Sequence, residues 1–320
     1  AADKLYSYGE RISSQKIYDI YLEKLIVSLK ADKEARLISL ATQLAYHDNG
    51  MSNPFFAEEI FKKIKGLNPG LALNEQTQYL RAYNLEKIKQ YNDAYLQYWI
   101  LVKSYPLSSH YREAIFKMGV ISAYIIGDIP AAQEHFSELI QGAALDSPAF
   151  AAFYQLGLIS QYRGDIPKAG EYYNTLLQRA NDMPLCDDFI NRVIMRLKEI
   201  EENQPLDFNL RAFMDASCKE AQSGTYSPDI DIKVERFKLT PNQGIKISSS
   251  ASPAESGCFP VRMEYLWSGD LCQVAPGAEQ YNFTAHYVYP GIKLIQLTVI
   301  TPSGILGRDL VFLEVEESKE

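Results

Sequence analysis

The sequence is poor in the features that would make its function easy to read. It has four cysteines, four histidines, two tryptophans and no long apolar run. The longest such run, MGVISAYII at 118–126, falls well short of the ~20 residues that cross a bilayer, so no direct membrane insertion is expected. Basic charge is in deficit, with 32 Lys and Arg against 40 Asp and Glu and a net charge of −8. A nucleic-acid partner would need a basic stripe to neutralise phosphates, and an anionic lipid surface would need the same. Both are excluded as expectations. Cys186, Cys218, Cys258 and Cys272 form no CxxC pair and no cluster with histidine, which argues against a zinc centre or any other metal site. There is no GxSxG, no HExxH, no P-loop and no GxGxxG opening a helix, so neither a catalytic residue nor a cofactor is assigned and a non-enzymatic role is expected.

What is present is repetition. GDIPAAQEHFSELI at 127–140 is echoed by GDIPKAGEYYNTLL at 164–177. Aligning the alanines of the two phrases brings out earlier copies. Ala57, Ala94, Ala132 and Ala169 lie 37, 38 and 37 residues apart, each with an aromatic four residues on and an aliphatic three further. Those positions share one face of a helix. At or near 12 residues before each alanine stands a large-small pair: Leu44-Ala45, Met118-Gly119 and Leu156-Gly157, with a less tidy Leu80-Arg81-Ala82 in the second copy. Gly127-Asp128 and Gly164-Asp165 supply the turn between two helices, since glycine permits the left-handed conformation that ends the first.

A regular period of this length predicts a solenoid of helical hairpins. Segment 13–29 reads as an N-terminal capping helix, and 186–203 with about 208–220 as a C-terminal helical pair. If that pair is antiparallel, Cys186 at the start of one helix meets Cys218 near the end of the other, which would staple the cap. Cys258 and Cys272 are then left to each other.

The large-small pair, the turn, the alanine, the aromatic and the proline that closes the first two copies (Pro69 and Pro106) resemble the tetratricopeptide repeat family over about 35–184. The third and fourth copies lack that proline. The resemblance implies a concave face lined by the first helix of each hairpin. Tyr46, Tyr79, Tyr83, Phe116, Tyr124, Tyr154 and Tyr162 are assigned to it as partner-binding residues, about half of them also packing against the next repeat.

Composition changes after 222. Residues 223–228 read as a linker, and from 229 to 320 short alternating segments rich in β-branched and aromatic residues predict an all-β sandwich. SSSASPAESGCFPVRMEYLWSGD at 248–270 and HYVYPGIKLIQLTVITPSG at 286–304 look like the two halves of a PKD (polycystic kidney disease) domain, an Ig-like fold. Tyr265, Trp267, Tyr289, Pro290 and Gly291 stand at its motif positions. The loop after the tryptophan is poorer in Gly and Asp than the family pattern, which tells against ion binding there.

The expected architecture is thus an all-α tetratricopeptide-like solenoid, 1–222, followed by an Ig/PKD-like sandwich, 229–320. Paired cysteines, the extracytoplasmic habit of PKD-like domains and an N-terminus resembling one left by signal-peptide cleavage point to a periplasmic or secreted protein. The function expected is an exported scaffold or adaptor, in a bacterial cell-envelope assembly, gripping a protein partner in the groove. The alternative is a glycan-binding module with the solenoid as spacer. It would need exposed aromatics, and both Trp99 and Trp267 read as core.

Overall fold

The computed structural model describes residues 11–29, 32–46, 53–141, 146–180, 187–223, 229–252, 264–271, 282–300 and 306–316. Helices fill the first part of the chain, and strands follow from Asp229 onward. The helices are α1 (Arg11–Ser28), α2 (Lys33–Tyr46), α3 (Pro54–Leu67), α4 (Glu75–Lys87), α5 (Tyr91–Ser104), α6 (Tyr111–Ile121), α7 (Ile129–Gln141), α8 (Ser147–Tyr162), α9 (Ile166–Ala180), α10 (Asp187–Glu201) and α11 (Phe208–Ser223). By compactness the chain divides within α6, into residues 1–118 and 119–320.

The echoed phrase is a helix stop and a helix start written together. Gly127 and Gly164 take φ of 77° and 82°, the left-handed conformation that closes a helix C-terminus without a Cβ penalty. Asp128 Oδ1 then accepts from Ala131 N at 3.0 Å, and Asp165 Oδ1 from Lys168 N at 3.3 Å, capping the next helix. Proline follows in the first turn, where its missing N–H costs nothing.

In the first unit α2 packs on α3, α4 on α5, and α1 on α3. Leu22, Leu37, Ala41, Ile60, Phe61 and Ile64 form a buried core there. In the second unit Gly119 and Gly157 lie directly under aromatic rings. A Cβ at Gly119 would come within 2.9 Å of Phe136 Cδ1, and one at Gly157 within 2.7 Å of Tyr173 Cδ1. The small residue lets the second helix of the hairpin approach until its aromatic closes the gap. Burying each such ring contributes about 1.5–3 kcal/mol.

One repeat carries an extra residue. Ala45 to Ala57, Ala82 to Ala94 and Gly157 to Ala169 each span 12 positions, whereas Gly119 to Ala132 spans 13. The surplus is absorbed by a π-helical turn, Ser122–Ile126, at the end of α6, the usual way a helix takes in one residue without losing its face.

The strands are β1 (Asp229–Val234), β2 (Lys238–Leu239), β3 (Gly244–Ser252), β4 (Glu264–Gly269), β5 (Asn282–His286), β6 (Gly291–Ile300) and β7 (Leu306–Val315). They form a three-stranded sheet, order β1-β3-β5, and a four-stranded sheet, order β2-β7-β6-β4. All pairs are antiparallel except the short β2–β7 pair. One core draws from both sheets, including Ile230, Ile245, Phe283, Leu297 and Leu313. In β6, Ile295, Leu297 and Val299 enter this core. Leu294, Gln296 and Thr298 on the other face are buried as well, because α11 packs across β4, β6 and β7.

Trp267 is partly buried against that core and meets Phe283 edge-on at 4.9 Å. Trp99 departs from expectation. It is 43% exposed, because α5 turns Ala94, Tyr98 and Leu101 inward and places Trp99 one residue round the helix from that face. Cys186, Cys258, Cys272, the linker 224–228 and the side chain of Cys218 lie outside the described residues.

Candidate functional site

Five of the seven aromatics assigned to the concave face are buried: Tyr79, Tyr83, Phe116, Tyr124 and Tyr154 are each at most 7% exposed. Tyr162 is half-buried and donates to Asp215 Oδ1 at 2.8 Å. The side chain of Tyr46 lies outside the described residues. Helical periodicity identifies the face these residues occupy. What covers them is the neighbouring hairpin. Tyr79 stacks on His110 at 3.8 Å and donates to Glu113 Oε1. Tyr154 packs on Phe189 at 5.7 Å, under the Arg192 guanidinium.

Two polar clusters are built on the same plan. In the first unit Tyr98 donates to Glu86 Oε2 at 2.8 Å, and Lys117 reaches that carboxylate at 3.1 Å and Glu113 Oε1 at 3.2 Å. The Lys117 ammonium lies 5.0–5.8 Å from the rings of Tyr79, Tyr83 and Tyr98. A buried ammonium is tolerable only when carboxylates and π faces surround it in this way. Burial pushes the Glu86 carboxyl above its ordinary value, against the pull of Lys117 and Tyr98. Burial pushes the Tyr98 phenol well up too, with Glu86 reinforcing it.

In the second unit Tyr173 donates to Gln161 Oε1 at 3.1 Å across the same 12-residue interval. Gln161 Nε2 donates to Glu199 Oε2 at 2.9 Å, and Arg196 pairs with Glu199 at 2.8 Å. Between these repeats the aromatic is Phe136, which has no hydroxyl, and Tyr124 of the π turn donates to Gln155 instead. Each of the two clusters locks a hairpin to the helix that follows it.

An open site lies elsewhere in the first unit. A cleft of about 260 Å³ is formed by α3, the segment after it, α4 and α5. Its walls include Phe61, Ile64, Leu71 and Ile100, and its polar lining Gln78, Arg81 and Gln97. Arg81 holds Glu58 through Nη2 at 2.8 Å and Nε at 3.2 Å, so the cation there is matched by a buried anion. Sequence reasoning missed this cleft. Its one signal was the untidy second repeat, where Leu80-Arg81-Ala82 sets a charge inside the large-small pair.

The second unit is tied together by α10 and α11. Arg192 of α10 pairs with Asp270, just after β4, whose other oxygen accepts from Leu294 N at 2.7 Å. Asn209 of α11 donates to Trp267 O at 2.9 Å, and Phe213 meets Tyr124 edge-on at 5.4 Å. Among the described residues no three metal-ligating side chains converge, and no helix is long and apolar enough to cross a membrane. No protein-family model matches the chain, and no curated protein matches it.

Proposed function

We propose that the chain is a non-enzymatic scaffold that binds a segment of a protein partner at its helical repeats. In this reading the repeats are tetratricopeptide-like, the strand region is a PKD-like sandwich offering a second contact, and the protein works outside the cytoplasm in a cell-envelope assembly. The observation that carries the proposal is the cleft between α3, α4 and α5. It is an apolar-walled opening with a polar lining, in a helical region where five of the seven aromatics assigned to partner binding are buried. The repeating small-aromatic contact and the two-sheet core support the finer family assignments.

The test is co-purification from an envelope extract with the full-length chain as bait. A discrete protein retained by the parent chain, and lost on Ile100→Arg in the cleft wall, supports the scaffold. Retention of polysaccharide alone, unaffected by Ile100→Arg, overturns it in favour of a glycan-binding sandwich on a helical spacer.

A further inference from the structure

The cleft holds an unfinished hydrogen-bond pair. Gln78 on α4 and Gln97 on α5 are 4% and 6% exposed, and both line the cavity. Gln78 Nε2 donates to Gln97 Oε1 at 3.1 Å and to Gln97 O at 2.9 Å. The reciprocal bond is not made. Gln78 Oε1, an acceptor, and Gln97 Nε2, a donor, have no hydrogen-bond partner among the described residues. Two amides buried on adjacent helices gain most when each group is matched, because an unmatched half costs its desolvation. Both side chains line a cavity with apolar walls.

We infer that this cleft is a recognition pocket for a primary carboxamide, the side chain of a glutamine on a partner segment, inserted to complete the hydrogen bonds of Gln78 and Gln97. The inference rests on the scaffold reading and names what that scaffold would recognise.

Three physical points select this occupant. A primary carboxamide carries its carbonyl oxygen and an N–H on one edge, so it can bond a neighbouring donor and acceptor together. A trans peptide group sets its N–H and C=O on opposite sides and satisfies one of the two at most. Charge gives an ionic analogue little: the Arg81 guanidinium is already matched by the buried Glu58 carboxylate, and the exposed Lys65 in the lining opposes a cation. Size agrees as well. About 260 Å³ is below the roughly 300–1,000 Å³ of small-molecule sites and suits one side chain, whose methylenes would lie against Phe61, Ile64 and Ile100.

The experiment titrates the full-length, ¹⁵N-labelled chain with three probes that share one backbone: the N-acetyl methylamides of glutamine, glutamate and methionine. Only the first has a primary carboxamide. The expected result is a saturable shift of the Gln78 and Gln97 side-chain NH₂ signals with the glutamine probe alone, at a dissociation constant on the order of millimolar for so small a ligand. Gln97→Glu, which removes the donor at nearly constant size, weakens binding at least tenfold while the backbone spectrum keeps its folded dispersion. Equal binding of all three probes overturns the inference, since the walls alone would then be acting. Tighter binding of the glutamate probe overturns it in favour of an anion site, and no shift at the solubility limit overturns it outright. If the probes fail while Ile100→Arg still releases a partner from the chain, the carboxamide specificity falls and the scaffold stands.

Discussion

Lys117 and Glu86 form an ion pair at 3.1 Å with both side chains at most 3% exposed. Such a pair is costly to assemble and costlier to break. Lys117→Met leaves Glu86 buried beside Glu113 with no cation, and a loss of about 3–5 kcal/mol is expected. Adding Glu86→Gln to that variant removes the stranded charge and keeps an acceptor for Tyr98, so most of the loss returns. Urea denaturation of both single variants and the double variant measures the coupling. Simple additivity would show that the pair does not act as a unit.

Glu86 also gives stability a pH dependence of a stated sign. Its folded pKa is raised, mainly by burial, so the folded state keeps a proton over a range where the unfolded chain has released it. The contribution is full below the ordinary glutamate value and is lost as pH rises through the raised folded value. Glu86→Gln, which cannot titrate, should therefore gain on the parent chain as pH rises from acid toward neutrality. Unfolding free energies of the two chains across that range decide it, and a parent that gains on the variant instead would reverse the sign.

The glycines beneath the aromatics give a paired test. Gly157→Ala would put a methyl within 2.7 Å of Tyr173 Cδ1, on a ring that is fully buried and held through its hydroxyl by Gln161. Overpacking of about 1–3 kcal/mol outweighs the gain of up to ~1 kcal/mol from replacing a helical glycine. Gly170→Ala, on α9 with nothing within 4 Å of the added methyl, should show that gain alone. Thermal or urea unfolding should move the two variants in opposite directions. A shared direction would mean that helix propensity, and not the ring contact, governs the position.

How much of this was legible follows from what periodicity encodes. The GDIP phrase and the alanine register were readable because each is a local rule repeated in place. Tyr79 and Tyr154 were placed on the correct helices, but spacing names a face and not its cover. Their burial depends on His110 and Phe189 arriving from the next hairpin. The burial of Gln296 and Thr298 is of the same kind, since alternation along β6 separates two faces while the cover of the second comes from α11, far earlier in the chain. The cleft was illegible because Gln78 and Gln97 are 19 residues apart on separate helices, and neither is unusual until the two amides meet.

Asp270 tests how the second unit is held together. One carboxylate oxygen pairs with Arg192, the other accepts from Leu294 N at 2.7 Å, and its backbone carbonyl accepts from Tyr287 Oη at 2.8 Å. The Arg192–Asp270 pair is partly open, with side chains 23% and 19% exposed, and contributes on the order of 1 kcal/mol or less. Arg192→Met puts an uncharged side chain of similar length where the guanidinium lies over the Tyr154 and Phe189 rings and should lose about that much. Asp270→Ala removes the ion pair and also strands the Leu294 amide, adding about 1–3 kcal/mol. The larger loss should therefore fall on Asp270→Ala, together with faster hydrogen exchange at the Leu294 amide where β6 begins to pair with β4. Arg192→Met should leave that amide protected. Equal losses with unchanged exchange in both variants would mean that the bond to β6 contributes nothing, and that the ion pair alone accounts for the role of Asp270.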